Sequence, residues 1–470
     1  MGFIQKVKEW FSVLLETRAE QDFDLIPIEY PATDYKIREC LQAYKGQPYW
    51  VDDEIRTINF ARSVCSETAR LATLAIGISV SGGARAEWIQ EQLEKCINDN
   101  LRKWVEYGCA AGTMLLSPDG AGGVDCYLPG EFLLTDVQGD VYTGVVLHTM
   151  DASSDGKKYY HRFEHRAFDM SAHTCTIRNK CYVSANPNDY GRPCDIATTP
   201  WADLEPETTI SNVERPLFGV FRTPAANNVD TSSPLSLPIF ADALEEFKDL
   251  DIAYSRNSTE IFDSARTILI DSDRIMQSGE RVKMSADGYD ATVRRYRLPR
   301  ITRIVEGNGA DAYYQEINPT LNTDARMVGI NALLSQIGYK CGFSNGYFVF
   351  NQSTGLATAT QVEADQQRTI QFIKDVRDQL QACMDGLIYS MSVFEDLMGD
   401  TPAGDYEVTY DFGDITYNRD EDRSRWYSYV NSGRIPFWFY LVKFEGFSEE
   451  DAKAIAIEDE FQQDNFGAEE

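Results

Sequence analysis

Apolar residues recur every three or four positions from Ile370 through Ile373, Val376, Leu380, Met384, Leu387 and Met391 to Phe394. That spacing predicts one unbroken helix over about 358–398, with Thr360 and Glu363 placed as a capping box at its start. A stripe of that length must be covered along its course, so other elements have to pack against it. The chain has 470 residues, room for about three domains at ~150 residues each.

The remaining pattern changes along the chain. Phe3, Ile4, Val7, Trp10, Phe11, Leu14 and Leu15 fall at helical spacing. A helix docked on a core is the plain reading, and a membrane-surface helix with Lys6 and Lys8 on its basic face is the alternative. Three helical stretches follow between 54 and 116, one striped by Leu93, Ile97, Leu101, Trp104 and Val105 with Gly108 next. From 112 to about 235 the period becomes two. Short strands at 113–116, 124–128, 132–135, 141–148 and 159–165 are separated by Gly, Asp and Ser clusters. This is an α+β chain with an antiparallel sheet rather than a doubly wound one.

Ser233–Pro238 breaks the pattern, and a helix over 239–264 follows. Phe240, Ala243, Leu244, Phe247, Leu250 and Tyr254 are expected on one face, and Asp242, Glu245, Glu246, Asp249, Arg256 and Glu260 on another. Residues 265–320 carry strand patterns at 267–270 and 301–305. A second helix, 322–339, aligns Met327, Ile330, Leu333, Leu334 and Ile337. Residues 341–357 hold no charge, and a strand is expected at 406–412 after the long helix.

Charge narrows the function. Forty-four bases against 74 acids leave −30, so the chain as a whole repels nucleic acid rather than gripping it. Residues 265–320 are the exception, with nine bases, eight acids and the cluster Arg294, Arg295, Arg297, Arg300 and Arg303. The cluster reads either as a nucleic-acid or partner-protein patch, with the protein contact favoured, or as a strand edge guarded by charge. The last 26 residues hold ten acids and one lysine.

Catalytic signatures are missing. Gly156–Lys157 is followed by Lys158, so no P-loop is present, and neither H-E-x-x-H nor Gly-x-Ser-x-Gly occurs. His161, His165, His173, Cys175, Cys181 and Cys194 match no zinc spacing and are read as sheet residues. Ten cysteines without a C-x-x-C pair fit reduced thiols. No apolar run is long enough to span a bilayer, and nothing near Met1 resembles a secretion signal. The chain is expected to be no enzyme, to need no cofactor or metal, and to have no membrane partner.

Several segments together resemble the portal, or head-to-tail connector, proteins of tailed bacteriophages. They are Leu128-Pro-Gly-Glu-Phe-Leu-Leu-Thr-Asp-Val-Gln-Gly139, Leu235 to Leu244 running on to Phe262, residues 358–389, Ser428–Pro436 and Glu445–Ala452. The order of elements is similar over about 54–455. The aromatic run Phe437–Tyr440 departs from it, because a more polar segment is expected there.

The resemblance implies a protomer with an α/β wing at 1–235, a first stem helix at 236–264 and a clip at 265–320. A second stem helix at 321–340, a tunnel loop at 341–357, a long helix and strand returning to the wing at 358–414, and a helical crown at 415–470 would complete it. Such chains assemble as twelve-membered rings at one capsid vertex of the virion, after synthesis in the host bacterial cytoplasm. Double-stranded DNA passes through the ring without sequence preference. The implied partners are further copies of the chain, the terminase large subunit, head–tail adaptors, and the major capsid and scaffolding proteins.

On this resemblance Asp242, Glu245, Glu246, Asp249 and Glu260 would face the channel. Tyr347, Phe348, Val349, Phe350, Asn351, Gln352, Ser353 and Thr354 would touch the duplex, although the aromatics Phe348 and Phe350 could equally pack on the wing. The arginine cluster would dock partners. A different ring-forming connector and a metal-dependent hydrolase with an unrecognised carboxylate site are the rival readings.

Overall fold

The computed structural model describes residues 15–119, 123–153, 156–263, 267–271, 302–305, 314–317, 322–349, 359–399, 401–413, 426–430, 434–442 and 452–453. A helix at 15–23 (α1) precedes α2 (Pro31–Tyr44), α3 (Phe60–Ala72), β1 (Gly77–Gly82), α4 (Ala84–Gln92) and α5 (Asn98–Ala111). The strands β2 (Thr113–Pro118), β3 (Val124–Tyr127), β4 (Phe132–Gln138), β5 (Val141–Ala152), β6 (Tyr159–Asp169), β7 (Thr174–Ser184), β8 (Arg192–Cys194), β9 (Glu207–Ser211) and β10 (Gly219–Arg222) follow. Then come α6 (Leu244–Asp263), β11 (Thr267–Asp271), β12 (Thr302–Val305), β13 (Tyr314–Ile317), α7 (Thr323–Lys340), α8 (Ala359–Met398), β14 (Tyr406–Asp411) and α9 (Phe437–Tyr440).

The chain is a mixed α+β protein. Its largest sheet runs β4–β5–β6–β7–β8, with β9 also on β7, and every pair is antiparallel. Alternation along the strands gives this sheet two working faces. On one, Val146, Phe163 and Tyr182 pack with Leu15, Ala19 and Phe23 of α1 and with Tyr190. On the other, Leu134, Val145 and Leu147 meet Leu115, Tyr127 and Phe218, while Phe168, Cys175 and Ile177 meet Tyr389, Val393 and Phe394 of α8. Each such large side chain removed from water contributes about 1.5–3 kcal/mol, so this layered body is where the fold is anchored.

A second sheet, β10–β2–β3, lies against α8. The contact is close because both residues at the crossing lack a side chain. A Cβ at Gly219 would stand 2.1 Å from the Cys383 carbonyl oxygen, and one at Gly386 would stand 3.0 Å from the Gly219 Cα. Residues Ile373, Val376, Leu380, Met384, Leu387 and Met391 of the expected stripe are buried, whereas Ile370 and Phe394 are half-buried. The side chains of Thr360 and Glu363 lie outside the described residues.

Several boundaries differ from the sequence expectation. Gly108 lies inside α5 rather than after it; the helix continues to Ala111 and is stopped by Gly112, whose φ of +83° favours glycine. Helix α6 begins only at Leu244, after a 3-10 turn at Ala241–Ala243. Tyr254 is not on its buried face. It is 45% exposed, and Asp251 and Ser255 are buried there instead. Helix α2, strands β7 to β10 and strand β13 had no sequence expectation.

Two compact units are distinguishable, residues 1–73 with 78–410 and residues 74–77 with 411–470. The second has its own small core. Tyr440, Leu441 and Ala452 are buried there beside Trp426, Val430, Phe437, Trp438 and Val442, and Trp426 stacks on Phe439 at 5.7 Å. Phe437, Trp438 and Tyr440 of the aromatic run belong to that core, while Phe439 is exposed.

Candidate functional site

Helices α6 and α7 form an antiparallel hairpin. Its two ends are fixed by ion pairs in opposite order along the chain, Glu246 with Lys340 at 2.6 Å and Glu260 with Arg326. Gln336 also donates to Glu246 at 2.9 Å, and Lys340 donates to the Asp242 carbonyl at 2.9 Å. Beneath these polar bridges, Leu244, Phe247 and Leu250 of α6 and Ile330, Leu334 and Ile337 of α7 are buried, as their 3.6-residue spacing requires.

Between the two helices in sequence stands a separate three-stranded sheet, β12–β11–β13. There β12 runs parallel to β11 and β13 antiparallel. Arg303 pairs in register with Leu269 in this sheet. Arg294, Arg295, Arg297 and Arg300 lie outside the described residues.

The other side of α6 is held by a buried carboxylate. Asp251 accepts from the Trp50 indole N–H at 2.9 Å and from the Ile58 amide at 3.0 Å, and Ser255 accepts from the Arg56 amide at 2.8 Å. These contacts tie the segment before α3 to the hairpin.

After α7 the chain turns at 341–349, and the turn is clamped from two sides. Ser344 and Thr369 exchange backbone-to-hydroxyl hydrogen bonds at 2.8 and 3.2 Å, joining the turn to α8. Arg368 donates to the Tyr339 carbonyl at 2.9 Å and lies over the Tyr339 ring at 4.0 Å, closing the carboxyl end of α7. Arg377, buried in α8, donates to the Leu71 and Ala72 carbonyls at 3.1 and 3.0 Å and so caps α3.

The aromatics of the turn pack inward. Phe348 lies 5.2 Å from Phe60 on α3 and 4.8 Å from Phe343, and Phe60 in turn meets Phe247 of α6 at 6.2 Å. The Tyr347 hydroxyl donates to Glu67. Burial and that hydrogen bond raise the Tyr347 pKa, while hydrogen bonding from Arg70 holds the Glu67 carboxyl below its ordinary range. Within the single chain Phe348 therefore packs against the body. Val349 is half-buried, and Phe350, Asn351, Gln352, Ser353 and Thr354 lie outside the described residues.

The acids of α6 separate into two groups. Glu246 and Glu260 are half-buried and paired with cations of α7. Asp242, Glu245 and Asp249 are exposed; Asp242 accepts from Asn228 at 2.8 Å and Glu245 lies 3.8 Å from Lys248. The hairpin also leaves apolar surface open, with Ile261 53%, Val328 70% and Tyr339 56% exposed.

The candidate metal ligands do not gather into one site, although Cys181 and Cys194 stand opposite each other on β7 and β8. His161 stacks on His148 at 5.3 Å, and His165 Nδ1 accepts from Arg178 at 3.0 Å. Cys175 is in the sheet core, and His173 occupies a tight turn with φ +53°. Among the described residues no group of three or more His, Cys, Asp or Glu is placed to hold a metal ion. No described helix is long and apolar enough to cross a membrane.

Sequence reasoning missed the row Arg162–Glu164–Arg166 on β6. Arg166 donates to Glu164 at 2.5 Å, Arg162 forms an ion pair with the same carboxylate at 3.2 Å, and all three side chains are buried. The signal was the period-two pattern Arg-Phe-Glu-His-Arg, which puts the charges on one face and Phe163 and His165 on the other.

No family model matches the chain, and no curated protein matches it. One solved structure, a chain of the "Virion of native gene transfer agent (GTA) particle", aligns with 93% of this chain and 98% of its own length, at 11% identity and a TM-score of 0.44.

Proposed function

We propose that this chain is a portal protein, the subunit of a ring of about twelve copies at one capsid vertex. Double-stranded DNA is packaged and ejected through its channel. The observation that carries this reading is the hairpin of α6 and α7. It is interrupted by the sheet β12–β11–β13 and followed at once by an uncharged turn and the 40-residue helix α8. On this reading the hairpin is the stem, the small sheet belongs to the clip, and 341–357 is the tunnel loop.

The chemistry suits a conduit. Side-by-side copies would cover Ile261, Val328 and Tyr339, apolar surface that a lone hairpin leaves in water. Asp242, Glu245 and Asp249 would repeat around the ring as belts of negative charge, which discourage salt-bridge adhesion by a passing polyanion. The arginines of the clip, Arg294 to Arg303, would meet the terminase large subunit and later the adaptor. The chain itself would do no catalysis.

Native mass spectrometry with negative-stain class averages tests the reading. With subunits of 53.1 kDa, a closed ring of about 640 kDa with a central hole is the expected result. A stable monomer or dimer at high concentration would overturn it.

A further inference from the structure

Cys181 on β7 and Cys194 on β8 stand directly opposite each other in the antiparallel register. Opposed residues project from the same face of a sheet, with Cβ atoms ~4.5–5.5 Å apart. A disulfide asks for Cα atoms ~4.4–6.8 Å apart and Cβ atoms ~3.5–4.5 Å apart. The neighbouring pair is Tyr182 with Pro193, and proline has no N–H to give to a ladder. Alternation then makes Cys181–Cys194 the hydrogen-bonded kind of pair, whose Cα atoms sit ~5.5 Å apart.

The Cα separation is therefore right and the Cβ atoms are slightly too far apart. Strand β8 has three residues and ends the sheet, so it is the part that gives when the sulfurs are drawn together. A bond closed with some strain is more readily reduced again than a relaxed one.

The surroundings fit a pair that waits as thiols. Both cysteines are free. Cys181 is buried and Cys194 is half-exposed, so only one of them meets solutes first. Burial pushes the Cys181 thiol up to about 11 and raises that of Cys194 too, so neither ionises much near neutrality. In the described strands no other cysteine faces a second cysteine across a ladder: Cys126 pairs Leu116, and Cys175 lies between Phe168 and Ile210.

We propose that Cys181 and Cys194 form a reversible dithiol–disulfide pair, closed by a small disulfide of the glutathione class, that locks the β7–β8 hairpin. The Cys194 thiolate attacks the small disulfide, forms a mixed disulfide and releases one small thiol. The Cys181 sulfur then attacks the Cys194 sulfur and releases the second. Two protein thiols lose two electrons and two protons, and one small disulfide becomes two thiols. The lock encloses Tyr190, whose ring covers Phe163 at 4.9 Å and His161 at 5.1 Å.

The test incubates the full chain with oxidised glutathione, blocks remaining thiols with N-ethylmaleimide and maps the peptides. A Cys181–Cys194 crosslink that dithiothreitol removes is expected. C194S should leave Cys181 as a thiol, because it is buried, and C181S should stop at a glutathione adduct on Cys194. A stable adduct on Cys194 in the unaltered chain, two unreacted thiols, or a crosslink to another cysteine would overturn the pair. Limited proteolysis reads the lock: cleavage within 185–191 should slow on oxidation and recover on reduction. Equal rates in both states would overturn the locking role.

Discussion

The body and the hairpin both contain arginine or lysine paired with glutamate, and the pairs do different work. On β6, Arg162, Glu164 and Arg166 are at most 4% exposed. Burial alone would raise the Glu164 pKa, but Arg166 and Arg162 hold it below the ordinary value. On the hairpin, the Lys340 side chain is 34% exposed and its Glu246 partner 12%. Water and ions reach the second pair and not the first. A buried pair contributes little net stability compared with apolar residues, yet removing one member leaves charge stranded in a poor solvent. A wet pair is worth at most about 1 kcal/mol. The same chemistry therefore constrains the body absolutely and the hairpin only mildly.

The largest effect should come from E164Q. The amide keeps the shape and removes the charge that two buried guanidinium groups face. A loss of about 3–5 kcal/mol is expected, seen as a lower urea midpoint for the unit containing the sheet. A loss under about 1 kcal/mol would mean that water enters this layer, and the contrast with the hairpin would vanish.

The opposite face of β6 should respond to acid. Burial pushes His161 and His165 down to about 4, and burial with the neighbouring His161 pushes His148 to about 3. Unfolded imidazoles take up protons near 6.5. Their contribution to stability is therefore complete above that pH and is lost as pH falls from 6.5 towards 4. The urea midpoint should drop between about pH 7 and pH 5, and an H148F/H161F double variant should show a flatter slope. An unchanged slope would place these rings in water.

How much of this was legible beforehand follows the same contrast. Helices α6, α7 and α8 and the strands β2 to β5 were readable because most of their buried positions are apolar, whereas β6 was readable from its aromatic alternation although Arg162, Glu164 and Arg166 are buried on it. Strand β7 was not, because its inward positions include Cys175, Asn179 and Cys181, which dilute the alternation. Asp251 shows the other failure. The spacing Leu244, Phe247, Asp251, Ser255 puts it on the buried face of α6, but a carboxylate is assigned to the surface unless its partners are known. Those partners, Trp50 and Ile58, are about two hundred residues away. The turn at 341–349 was recognisable as uncharged, but its seating on Phe60 and Glu67 depends on a helix distant in sequence.

The smallest effect is also the sharpest test of the contrast. K340M keeps most of the length of the side chain, removes its bonds to Glu246 and the Asp242 carbonyl, and leaves Glu246 with Gln336 as a donor. A loss of no more than about 1 kcal/mol is expected in the unassembled chain. Salt distinguishes the two regions further. Moving from about 0.1 M to 1 M shortens the screening length from ~10 to ~3 Å, so the K340M difference should shrink while the E164Q difference persists. If the K340M loss persists in high salt, the hairpin pair is already desolvated within one copy. Its stiffness would then belong to the single chain and would owe nothing to neighbours in a ring.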